Sequence, residues 1–150
     1  MYFEEIAFHA QVNIPGVTIE KEKMLDFARL YDPSPLHTDE TYARSTHYGD
    51  LIAPGVMSFM TVWAKYLEFD FFGAELVGGK SAKIEWFLPV YAGDVLSGKA
   101  VVTNKRIRNE KNGIVELTIS VRNQKGELVL TNVTEAVVKR KTARKRTGQG

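Results

Sequence analysis

The 150-residue chain contains no cysteine, which excludes disulfides, thiolate nucleophiles and cysteine-ligated zinc. Its three histidines, His9, His37 and His47, are scattered without metal-ligand spacing, so no metal is expected. No apolar stretch reaches the roughly 18 residues that a bilayer-spanning helix requires. The first five residues, Met1 to Glu5, carry acids instead of the basic start of a signal peptide. The cytoplasm is the expected compartment and no membrane partner is expected. A complete glycine-rich phosphate loop is also missing: Gly78-Gly79-Lys80 has none of the remaining residues of such a motif and reads as a turn before a strand.

What is present suits one domain with a sizeable core, 44% apolar and 25% charged. Twenty basic and eighteen acidic residues nearly balance, but the basic ones crowd the C-terminus. Lys139, Arg140, Lys141, Arg144, Lys145 and Arg146 occur with no acid among them, which leaves the rest of the chain mildly acidic. The sequence therefore divides into a domain over 1–140 and a flexible basic tail over 141–150, a segment too polar to bury surface. A solvated terminus is the reading preferred over one that binds RNA, anionic lipid or cofactor phosphates, and nucleic acid is not an expected partner.

Loose alternation from Ile6 to Ile14 predicts a strand ended by Pro15-Gly16. Thr18 is positioned to cap a helix over about 19–31, with Met24, Leu25, Phe27, Ala28 and Tyr31 at helical spacing. Pro33 and Pro35 break it, and Thr38 or Asp39 caps a short helix to about Arg44, with His37 in the intervening turn. Val56 to Leu67 is apolar nearly all round, as a helix inside a sheet would be. Strands follow over about 81–89, 95–106, 113–122 and 128–140, with hairpin turns at Asn112-Gly113 and Lys125-Gly126. This order predicts an α+β fold, a curved antiparallel sheet wrapped around one long central helix.

The chemistry concentrates between Asp32 and Gly55. A carboxylate and an imidazole five residues apart, on a segment stiffened by two prolines, can be aimed jointly at one small volume that holds a water. Gly55 starts the apolar helix, where free backbone N–H groups and the helix dipole favour negative charge. Alone, Asp32 fits a helix end, His37 a turn histidine and Pro54-Gly55 a loop terminus. Their combination, with the proline frame, the downstream glycine helix start and the resemblance to a known family carried by the flanking motifs, favours the functional reading. Ser58 and Thr61, in the first turns of that helix, are placed either to bond the carboxylate or to bond back to their own helix. Trp63, Phe69, Phe71 and Phe72 read as core or interface aromatics before an acyl pocket.

Phe27-Ala28-Arg29-Leu30, Asp32 to His37 with Asp39, Tyr48-Gly49, Ile52-Ala53-Pro54-Gly55 and Phe87-Leu88-Pro89-Val90-Tyr91-Ala92-Gly93-Asp94 together resemble the MaoC-like hydratases and dehydratases. The resemblance runs over about residues 15 to 138, in order. It implies a single hot-dog domain, a homodimer with two sheets joined edge to edge, and reversible addition of water to a trans-2-enoyl-CoA giving a 3-hydroxyacyl-CoA of R configuration. It casts Asp32 and His37 as the catalytic pair and Gly55 as the site for the thioester oxygen, with Ser34 as a further substrate-side residue. Coenzyme A enters as part of the acyl-CoA substrate, and no separate cofactor is implied. Two positions depart from the family pattern: Ser34 stands where Asn is usual, and Pro54 where His is frequent. Ser34 can still donate a hydrogen bond, with shorter reach. The rival readings are a hot-dog thioesterase, whose usual helix carboxylate is missing between Val56 and Tyr66, and a non-catalytic acyl-CoA or nucleic-acid binding module.

Overall fold

The computed structural model describes residues 1–141. Strand β1 (Gln11–Thr18) is followed by helix α1 (Lys21–Tyr31), the short helices α2 (Pro35–Thr38) and α3 (Glu40–Ser45), and the long helix α4 (Gly55–Leu67). Four strands complete the chain: β2 (Leu76–Trp86), β3 (Val95–Ile107), β4 (Asn112–Arg122) and β5 (Leu128–Lys139). All five strands form one antiparallel sheet in the order β1-β3-β4-β5-β2. The α+β architecture with a helix against a curled sheet is the expected one.

Alternation in the last three strands turns one set of residues to the helix. Leu96, Ala100 and Val102 of β3, Val115, Leu117, Ile119 and Val121 of β4, and Leu130, Ala136 and Val138 of β5 are buried with Met57, Phe59, Val62 and Tyr66 of α4. Gly98 lets the helix come close, since a Cβ there would lie 3.2 Å from a Val62 methyl. The helix is not enclosed on all sides, however. Val56, Met60 and Leu67 are about half exposed, so the all-round apolar pattern marks one face for the core and another still uncovered in the single chain.

Several boundaries differ from expectation. The first strand is Gln11–Thr18, not 6–14, and runs through Pro15-Gly16 as a bulge between Ile14 and Val17. β1 is an edge strand paired on one side only, so a missing proline N–H is tolerated there. Thr18 therefore belongs to the strand, and α1 starts two residues later than predicted, behind Glu20. Asp39 is the cap of α3, accepting from the Tyr42 N–H at 3.1 Å. β2 starts at Leu76, so Gly78-Gly79 lies within a strand instead of a turn, at two register irregularities of a second edge strand. Asn112-Gly113 is likewise not the turn. The Asn109 side chain makes it, accepting from the N–H groups of Lys111 and Asn112. Gly113 serves a close approach: a Cβ there would lie 2.2 Å from the Phe3 ring. Lys125-Gly126 does turn the chain, with Gly126 at φ 76°. The predicted basic tail lies, apart from Lys141, outside the described residues.

Candidate active site

Asp32 sits where α1 ends. Its backbone has left the helical region (φ −153°, ψ 71°), as a residue preceding proline tends to do. Pro35 then opens the single turn of α2, a position where its missing N–H costs nothing. His37 lies inside that turn, not between helices as predicted, and its backbone N–H donates to the Ser34 carbonyl at 2.9 Å. The Thr38 hydroxyl bonds the same carbonyl at 3.0 Å. Ser34 thus acts through its backbone, and it is not among the residues lining the cavity.

The His37 ring is fixed from one side. Its Nδ1 lies 2.6 Å from the Ile52 carbonyl oxygen, which can only accept, so Nδ1 carries the proton. In the neutral ring Nε2 then presents a lone pair, and it faces Oδ2 of Asp32 at 3.3 Å. At that distance no water fits between them, so the two bond each other only through a shared proton, and a water reaches both from the cavity side. The imidazole is largely buried while the Asp32 side chain is 47% exposed, so the pair is anchored at the histidine and open at the carboxylate.

The segment that supplies the Ile52 carbonyl is held by the motif sixty residues after Asp32. Ile52 bridges to Tyr91, and the Ala53 N–H donates to the Val90 carbonyl at 2.7 Å. The Tyr91 hydroxyl donates to the Tyr48 carbonyl at 2.8 Å. Asp94 closes the turn beneath by accepting from the Tyr91 N–H at 2.9 Å, with Gly93 at φ 88°. Burial, together with the nearby Tyr48, Asp94 and Asp50, pushes the Tyr91 phenol above its usual range and keeps it a donor.

A cavity of about 460 Å³ opens over this pair, lined among others by Asp32, His37, Tyr48, Gly55, Ser58 and Trp86. The structure therefore brings Asp32, His37 and Gly55 together around one volume. Gly55 is the first residue of α4, behind Pro54, and the first N–H groups of that helix have no intrahelical acceptor. Ser58 is buried against the cavity and its hydroxyl contacts only its own helix, at 3.4 Å from the Pro54 carbonyl oxygen. Thr61 bonds back to the Met57 carbonyl at 2.8 Å. Trp63, Phe69, Phe71 and Phe72 do not line the cavity. Phe72 is buried in the core and Phe69 is half exposed. Lys80 and Arg106 are committed to Glu135, and Lys83 to Glu85.

Sequence reasoning missed Trp86, whose ring packs against Gly55: a Cβ on that glycine would lie 2.5 Å from the indole Nε1. It also missed the Ile52 carbonyl, because backbone acceptors carry no residue-type signal. The isolated pair Tyr91 and Asp94, in a turn with glycine, was the available clue to the support. Among the described residues no group of three or more acidic, histidine or cysteine side chains could hold a metal ion.

A family model described as the FAS1-like dehydratase domain region matches residues 11–132, which contain the whole site. The chain belongs to this MaoC-like hot-dog family. A solved structure described as the monoamine oxidase regulatory protein from Archaeoglobus fulgidus superposes with a TM-score of 0.89 at 29% identity, covering 93% of this chain and 95% of that one. The (R)-hydratase from A. caviae involved in PHA biosynthesis gives 0.72 at 25% identity, covering 91% and 98%. The HadBC (3R-hydroxyacyl-ACP dehydratase) complex from Mycobacterium tuberculosis gives 0.73 at 27% identity, covering 87% and 96%. The fold is thus that of hydratases and dehydratases, and one neighbour of the MaoC-like chain bears a regulatory name. No helix among the described residues is long and apolar enough to cross a membrane.

Proposed function

We propose that this protein is a hydro-lyase that adds water reversibly across the 2,3 double bond of an enoyl thioester, taken here as a trans-2-enoyl-CoA. The observation that carries the reading is the His37 ring, held by the Ile52 carbonyl so that Nε2 meets the Asp32 carboxylate at a cavity beside the first turn of α4. A water bound on the cavity side of Nε2 and Oδ2, within reach of both, is oriented for attack on Cβ. The pair removes one proton from that water as its oxygen bonds to Cβ, and returns one proton to Cα, giving the 3-hydroxyacyl thioester. Both groups take part in one proton exchange, so the roles belong to the pair. As oxygen adds, charge builds on the thioester oxygen, and the Gly55 N–H at the positive end of α4 stabilises it. The product configuration, R, is carried over from the (R)-hydratase of A. caviae.

A thioesterase reading is weaker. Its attack needs a carboxylate from the long helix, and α4 contributes none: among the described residues Asp32 is the only carboxylate lining the cavity. A ligand-binding role without catalysis is the second reading, suggested by the regulatory name of the Archaeoglobus protein. Loss of enoyl absorbance on adding crotonyl-CoA separates them. Hydration that depends on Asp32 and His37 supports the hydro-lyase, and binding of crotonyl-CoA without turnover supports the second.

The active form is a homodimer in this reading. β2 is an edge strand exposed on both faces, with Leu76 and Val77 in solvent, and α4 presents Val56, Met60 and Leu67. Such an edge is a template for pairing with a second chain.

A further inference from the structure

Outside the cavity, one side chain from the hairpin between β4 and β5 is bonded to the frame that carries His37. We propose that this side chain, Gln124, is a positioning residue for His37, acting through Asp94 and the Tyr91 turn. The inference rests on the hydro-lyase reading and extends the support of its proton-exchanging pair to a residue 30 positions after Asp94.

The amide of Gln124 joins two consecutive residues at the start of β3. Its Oε1 accepts from the Val95 N–H at 3.0 Å, and its Nε2 donates to Oδ1 of Asp94 at 3.0 Å. A backbone N–H only donates, so the amide cannot be turned the other way round. The other Asp94 oxygen, Oδ2, accepts from the Tyr91 N–H at 2.9 Å. One carboxylate therefore links the hairpin to the turn. Gln124 itself projects from a built turn: the Asn123 side chain accepts from the N–H groups of Lys125 and Glu127, and the Gly126 N–H donates to the Asn123 carbonyl.

The turn held in this way makes every contact named above between the Tyr91 motif and the segment behind His37. The Val90 carbonyl takes the Ala53 N–H, while Tyr91 bridges Ile52 and donates to the Tyr48 carbonyl. The Ile52 carbonyl in turn fixes Nδ1 of His37 at 2.6 Å. Bonds between Ile19 and the backbone of Gly93 and Asp94, both at 2.8 Å, hold the turn from the chain just after β1. They leave the Asp94 carboxylate unoriented, and Gln124 supplies that orientation through a hydrogen bond to a charged acceptor. Gln124 does not line the cavity, so its effect on turnover passes through His37.

A swap of donor and acceptor tests this. Gln124→Glu keeps an oxygen for the Val95 N–H and sets a second carboxylate against Asp94. With crotonyl-CoA, kcat is expected to fall on the order of 10-fold while KM changes by less than about 3-fold, as when a reacting group is misplaced without loss of binding surface. Adding Asp94→Asn to Gln124→Glu restores a donor facing an acceptor and leaves an oxygen for the Tyr91 N–H, so kcat is expected to return to within about 3-fold of wild type. In 15N-histidine-labelled protein, solvent exchange of the His37 Nδ1 proton is expected to quicken in Gln124→Glu and to slow again in the double variant. Wild-type kcat in Gln124→Glu, or a double variant no faster than Gln124→Glu, overturns the inference while leaving intact a hydration activity that depends on Asp32 and His37. A wild-type protein inactive on every enoyl thioester overturns the hydro-lyase reading, and the His37 exchange rates then decide the positioning role: unchanged rates in Gln124→Glu overturn it.

Discussion

At the scale of single residues, the site turns on which atoms can accept and which can only donate. The Ile52 carbonyl fixes the His37 tautomer, and this one bond leaves the Nε2 lone pair turned to Asp32. Gly55 is constrained sterically, since its missing side chain leaves room for the Trp86 indole. Gly55→Ala is expected to displace the Trp86 ring and lower kcat by on the order of 10-fold, checked by turnover and by tryptophan fluorescence. Tyr66 is a contrasting case. Its hydroxyl is buried in the core with no partner among the described residues, and burial pushes its pKa far above the usual tyrosine range. Tyr66→Phe should leave stability unchanged or raise it by about 1 kcal/mol in denaturant unfolding, because an unsatisfied polar group is removed with little change in shape. Asp32, His37 and Gly55 were legible in the sequence because proline and glycine restrict the backbone around them. Trp86 was not, because nothing local says which way the last residue of a strand will face.

At the scale of elements, the site is a helix end, a one-turn helix and a helix start, all carried by a sheet that contributes only its rim. The link is the Tyr91–Asp94 turn, which holds the segment that holds His37. Tyr91→Phe should cost about 1 kcal/mol of stability and lower kcat more than KM, since it loosens the support without touching the cavity wall. Thermal unfolding and steady-state kinetics on the same samples check both. Long helices and alternating strands were readable because period and burial agree along α4, β4 and β5. The edges were less so. At β1 and β2 a strand is paired on one side only, so proline and paired glycines pass as bulges where the sequence suggests breaks. At Gly113 the glycine answers to Phe3, a partner 110 positions away, and no local rule distinguishes that from a turn.

At the scale of the whole molecule, the outer face of the sheet carries a charged cluster remote from the chemistry. Glu135 of β5 is bonded by Arg106 and Ser81 with Lys80 nearby, and the Arg106 guanidinium, aided by the Ser81 hydroxyl, lowers its pKa from 4.5 to about 2. A depressed carboxylate stabilises the fold fully above its unfolded pKa and loses that contribution as pH falls through the folded value. Melting temperature should therefore drop between pH 4.5 and about 2 in the wild type, and less steeply in Glu135→Gln. The uncovered edge of β2 makes a second prediction. Val77→Lys places a charge on that edge, where it is expected to shift sedimentation equilibrium from dimer toward monomer. The proposed dimer rests, at the level of sequence, on family resemblance alone, because a strand pattern does not state which edge is left open.

The central claim is that Asp32 and His37 act as one proton-exchanging pair on an enoyl thioester. The most direct measurement is enoyl absorbance of crotonyl-CoA and of a longer trans-2-enoyl-CoA with the purified protein, beside Asp32→Asn and His37→Asn. The account predicts hydration by the wild type and a loss of at least about 100-fold in each variant, with the double variant little worse than either. Wild-type protein without activity on both substrates, or variants that match it, would contradict the account.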